Sequence, residues 1–258
     1  MASLPTSPSS DATRNLPVSQ LQRQTTEHQT DTPRPPPSTE LSKLLLALRK
    51  LREAVLATLS STPVSFSQKV YIFSIRTGIL AQHPPSYFPS LQHLLGTLHS
   101  SSHPLADSEA KEFITYLILD YACRQEDMRS AFELRARARK RYKSRFRTID
   151  RVLGALLQGN WVVFWQVRNS VDSYVRAIID WAAGQVRRRA LKAVGSAYLS
   201  VEASWVLEGC TGEQGWTWKK LVEVEGLGWQ KEDDRIIIKR PKRKPETKLE
   251  PIKESTQT

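Results

Sequence analysis

Cysteine is scarce in this chain. Only Cys123 and Cys210 occur in 258 residues, with no regular spacing. That excludes a disulfide framework and points to a reducing compartment. No apolar run approaches the ~20 residues needed to span a bilayer. The N-terminus has no basic segment followed by an apolar one, so neither a membrane helix nor a secretory leader is expected. Tryptophan is absent before position 161: all seven lie between Trp161 and Trp229, where the densest core is expected.

Catalytic constellations are missing too. The histidines are His28, His83, His93, His99 and His103. His99 and His103 have a spacing that suits a metal on a helix, but Pro104 and the serine run around them make the segment a loop, with no thiol or paired carboxylate beside it. Gly226 and Gly228 lack the following glycine and helix of a phosphate cradle. No Gly-x-Ser-x-Gly elbow or Cys–His pairing appears. The expectation is therefore a protein without catalytic activity, metal, cofactor or small-molecule substrate.

What is present is positive charge. The formal net charge is +12 and the pI about 9.8, which favours acidic partners, either nucleic acid or acidic protein surfaces. The charge is concentrated in three places. Eight cations fall within thirteen residues: Arg135, Arg137, Arg139, Lys140, Arg141, Lys143, Arg145 and Arg147. On one helix they would cover nearly every face and gain from an anionic neighbour, or be balanced by carboxylates elsewhere in the chain. Tyr142 and Phe146 among them have the spacing of anchors to the core. Arg187, Arg188 and Arg189 form a second cluster. Lys239, Arg240, Lys242, Arg243 and Lys244 form a third, with the density of a nuclear import signal, so both nucleus and cytoplasm are expected locations.

The order of elements follows from composition and periodicity. Residues 1–38 are rich in Ser, Thr, Pro and Gln and bury too little apolar surface to order themselves. From Thr39, Leu41, Leu44, Leu48, Leu51 and Val55 recur at three and four residues, an amphipathic helix. Pro63 ends it, and a second helix runs to a stop at Pro84-Pro85. A short third helix spans 90–98, and a further one begins with Ser108 as its cap. Helices over 132–142, 149–157, 161–167 and 171–181 follow. The last third reads as three short helices, 185–199, 201–208 and 216–224, and then two strands around Glu232-Asp233-Asp234. The expected fold is an all-α helical array over 39–184, a winged helix with a small β-hairpin over 185–240, and a disordered basic tail over 241–258. The acidic wing would repel phosphate, which disfavours sequence-specific DNA reading by this unit.

Several short segments resemble the PCI superfamily, whose members occur in the proteasome lid, the COP9 signalosome and initiation factor three. Gly159-Asn160-Trp161 with Phe164, Arg187 to Ala190, Ala197-Tyr198, and Gly228-Trp229 before the strand Ile236 to Ile238 resemble its small-subunit branch. Glu112-Phe113-Ile114-Thr115-Tyr116 and Gly159-Asn160-Trp161 are also similar to GANP-type scaffolds of mRNA export. The resemblance implies a non-catalytic scaffold that assembles with other PCI-type subunits through its winged-helix edge. On that reading Ile236, Ile237 and Ile238 form the edge strand offered to a neighbour's sheet. The alternative is an RNA-associated adaptor that binds through the basic helix and the Arg187–Arg189 cluster. The arginine-dense helix and the proline-rich N-terminal segment depart from the small-subunit pattern.

Overall fold

The structure, a computed structural model, describes residues 39–213 and 215–239. Expectations about 1–38 and about Arg240, Lys242, Arg243 and Lys244 lie outside the described residues. The chain is mostly helical, with a small three-stranded antiparallel sheet near its C-terminal end.

Helix α1 (Thr39–Ala57) packs on α2 (Val64–Leu80), buries Leu45, Leu48 and Val55, and joins the large core through Val55. Helix α3 (Pro84–His93) starts with Pro84 and Pro85 at its first two positions, where no helical hydrogen-bond donor is needed, and carries a third proline, Pro89, inside. A π-helical turn, Leu94–Leu98, ends it. Helix α4 (Asp107–Cys123) buries Ala110, Phe113, Ile114, Leu117 and Ile118 and is the central helix of the array, touching α3, α5, α6 and α8. Its capping position is Ala106 rather than Ser108, which sits inside the first turn. Asp107 and Glu109 supply the negative charge that favours a helix start.

Helix α5 (Met128–Tyr142) is capped by Asp127, whose carboxylate accepts the Ser130 N–H at 3.0 Å. The junction of α6 (Arg147–Gln158) with α7 (Trp161–Ser170) follows directly from Gly159-Asn160. Gly159 takes φ +66° and donates its N–H to Ala155 O, closing α6. The Asn160 side chain then accepts the Val163 N–H at 3.1 Å and opens α7.

Helix α8 (Ser173–Ala197) is one continuous rod of 25 residues, so the two helices expected over 171–181 and 185–199 are fused and the domain division at 184/185 falls inside it. Ala182, Ala183 and Gly184 interrupt nothing, because no proline follows to remove a donor. Two apolar clusters meet on this helix. The larger one, built from α1 to α7 and the first half of α8, ends at Val186, and the smaller begins at Ala190. Trp161 touches both.

After α8 come β1 (Ser200–Glu202), α9 (Ala203–Gly209), α10 (Trp218–Glu225), β2 (Gln230–Glu232) and β3 (Arg235–Ile237). The helix expected over 201–208 is thus a strand followed by a shorter helix. The strands run in the order β1-β3-β2, with Val201 opposite Ile236 on one side and Lys231 opposite Ile236 on the other. β3 is therefore the central strand. This overturns the edge role expected of Ile236, Ile237 and Ile238. Both sides of β3 are paired, the Ile236 side chain is fully buried in the smaller core, and the Ile238 N–H is held by Leu199 O at 2.8 Å.

Candidate functional site

The eight-cation run does not share one helix. α5 stops at Tyr142, and Lys143 turns the chain with φ +45°. Arg135 is bound to Asp150, and Arg137 pairs with Glu133 at 3.3 Å. Arg141 donates to His99 Nε2 at 3.0 Å, and burial together with Arg141 lowers the His99 pKa. Arg139, Lys140 and Lys143 are exposed. Phe146 is buried and Tyr142 packs against the large core, so both anchor this segment. Lys140 and Arg139 remain exposed on α5, while Arg145 and Arg147 are carried elsewhere by the turn.

Their destination is a cleft of about 900 Å³ between α4, the start of α6 and the start of α8. Arg145 and Arg147 line it together with Lys111, and none of the three makes an ion pair among the described residues. The acidic residues of the cleft are already engaged. Glu112 accepts two hydrogen bonds from Arg76, at 3.0 and 2.9 Å, and a third from Tyr116 OH at 2.8 Å. Burial, then that bond to Glu112, pushes the Tyr116 phenol upward. Asp172 caps α8, accepting the N–H groups of Tyr174 and Val175 at 2.8 and 3.0 Å. Sequence spacing could not disclose this cleft, because its walls come from four separate segments between Arg76 and Val175.

The Arg187 cluster also separates. Consecutive helical residues point about 100° apart. Arg187 is buried, bonded to Glu225 at 3.2 Å, with its guanidinium 4.2 Å from the Trp216 ring centroid. It is a structural pin between α8 and α10 and is unavailable to RNA, which corrects its assignment as a contact. Arg189 bonds Leu156 O at 3.4 Å, and Arg188 is exposed. Lys239 is exposed and its N–H bonds Leu199 O at 3.1 Å.

The sheet has two edge strands, β1 and β2; β2 is Gln-Lys-Glu, whereas apolar side chains stand beside β1. The bonds Ile238 N–H to Leu199 O and Ala203 N–H to Asp234 O, each 2.8 Å, flank the β1–β3 ladder and set its alternation. Residues 199, 201 and 203 bond inward, so the N–H groups of Ser200 and Glu202 point outward. Beside them stand Tyr198, Leu199 and Trp205, exposed at 49%, 56% and 44%. The Tyr198 and Trp205 rings meet edge-on, centroids 6.2 Å apart. Sequence reading missed this surface because a three-residue strand has no periodicity of its own. A Tyr-Leu pair directly before Ser-Val-Glu was the available signal. Among the described residues no group of three or more His, Cys, Asp or Glu is placed to hold a metal ion.

No family model and no curated protein matches the chain.

Proposed function

We propose that the chain is a non-catalytic subunit of a multiprotein assembly of the PCI type, as in the proteasome lid, the COP9 signalosome or initiation factor three, and that its C-terminal unit is a winged helix. The supporting order is α8-β1-α9-α10-β2-β3 with sheet order β1-β3-β2, the arrangement of a helix, a strand, two helices and a two-stranded wing. The observation that carries the docking assignment is the outer edge of β1. It presents the outward amides of Ser200 and Glu202 beside an exposed aromatic and aliphatic patch, Tyr198, Leu199 and Trp205. A partner strand added there gains main-chain hydrogen bonds from the edge, and its side chains pack on that patch. The docking edge is thus β1 in place of Ile236–Ile238.

Replacing Leu199 and Trp205 together by Glu tests this. Both side chains are about half exposed, so the chain stays folded, while two carboxylates must be desolvated on docking. Co-purification of the tagged full chain from its own cells is expected to lose its stoichiometric partners. An unchanged partner set with a folded variant overturns the β1 edge.

RNA adaptation through basic helices has less support, since Arg135, Arg137, Arg141 and Arg187 are each held by a partner within the chain.

A further inference from the structure

We propose that the cleft between α4, α6 and α8 binds a phosphate monoester. It shares no residue with the β1 edge, so the two proposals stand or fall separately.

The first ground is charge. Four cations, Arg76, Lys111, Arg145 and Arg147, line the cleft against two carboxylates, Glu112 and Asp172. Arg76 is paired with Glu112, and Asp172 is held by the first amides of α8 but keeps its negative charge. Lys111, Arg145 and Arg147 are left facing one concavity with no ion pair among the described residues, and the carboxylate of Asp172 offsets only one of their three charges. Like charges gathered this way repel one another and are relieved by an anion that reaches them together.

The second ground is the donor geometry. Helix α6 begins within the cleft with no side-chain cap at Phe146. Among the described residues the N–H groups of Arg147, Thr148 and Ile149 find no acceptor, and the helix dipole adds to the positive field there. The Thr148 and Thr115 side chains line the same space; Thr115 already donates its hydroxyl to Lys111 O at 2.7 Å, which leaves its oxygen lone pairs but no proton for a ligand, so Thr148 is the hydroxyl donor of the pair.

Size and charge select the ligand. A cleft of about 900 Å³ is in the range of compact ligand sites and is a poor match to an extended nucleic-acid track. A monoester carries about −1.5 to −2 charge at neutral pH and three acceptor oxygens, which suits three separate cations better than the single charge of a diester. Phosphorylated peptide side chains and small phosphorylated metabolites share this chemistry.

The test is calorimetric titration of the full chain at low ionic strength with four probes: a phosphoserine peptide, its unphosphorylated form, glucose 6-phosphate and a short oligouridylate. Either phosphomonoester is expected to bind saturably at one site, with the unphosphorylated peptide silent. Tighter binding of the peptide assigns a protein source, and tighter binding of the sugar phosphate a metabolite source. Arg145→Glu with Arg147→Glu is expected to weaken binding about tenfold or more, the scale of one or two lost charge-assisted bonds. Arg139→Glu with Lys140→Glu makes the same change in net charge outside the cleft and is expected to leave affinity within about threefold, the size of a general field effect. Lys111→Gln supplies a second variant should the double reversal fail to fold. Equal losses in the two double variants overturn the site, as do oligouridylate binding more tightly than either monoester and the absence of monoester binding.

Discussion

Asp120→Ala lowers the unfolding free energy by about 3–5 kcal/mol, the cost of breaking a buried ion pair from one side. Asp120 is fully buried in α4, and its carboxylate is the acceptor for three side chains. Tyr87 OH donates at 2.5 Å, Arg124 at 2.8 and 2.7 Å, and Gln125 at 2.8 Å. The network ties α3 to the end of α4. Burial and the neighbouring carboxylate push the Tyr87 phenol upward, so it stays a protonated donor. In the alanine variant Arg124, with a quarter of its side chain exposed, can turn toward water, but the Tyr87 hydroxyl cannot. Adding Tyr87→Phe should therefore recover about 1–2 kcal/mol by removing an orphaned donor. Urea midpoints of the three proteins check both parts. A single-variant loss under about 1 kcal/mol would show that the network contributes no more than an ordinary hydrogen bond.

Gly212→Ala is the second large effect, and it acts on how the two cores are joined. Gly212 follows α9 with φ +68°, and an added Cβ would lie 2.0 Å from the Trp165 ring. Trp165 is buried in the large core, so the ring has no room to retreat. The left-handed backbone costs an alanine about 1–2 kcal/mol and the forced repacking about 1–3 kcal/mol more. Next to this contact, Arg168 bridges Asp180 of α8 at 2.5 Å and Glu213 at 2.6 Å, so the same loop is held twice. The expected result is a lower melting temperature with raised tryptophan exposure. An unchanged melting temperature would mean that the loop shifts freely and that the C-terminal unit is not seated on α7.

These two sites show what the sequence could and could not disclose. Helices α4 and α6 were legible because Phe113, Leu117 and Ile149, Val152, Leu153, Leu156 repeat at helical spacing and point into one core. Gly159-Asn160 was legible as a stop because a left-handed glycine and a capping asparagine act locally. The length of α8 was not legible. Its apolar face passes from one core to the other between Val186 and Ala190, and a change of partner in mid-helix resembles a break. β1 was hidden because its strand character comes from pairing with β3, some thirty-five residues later. The Ile236–Ile238 run carried its own warning. Continuous apolar residues suit a strand covered on both sides, whereas an edge strand is expected to alternate or carry charge. Arg187 to Arg189 looked like one cluster only while their helical directions were ignored.

The most direct measurement of the docking claim is amide hydrogen exchange at Ser200 and Glu202, in the isolated chain and in the assembly purified from its own cells. The account predicts fast exchange of both amides in the isolated chain, where they face outward, and strong protection in the assembly, with Val201 protected in both. Equal exchange of Ser200 and Glu202 in the two states would contradict it.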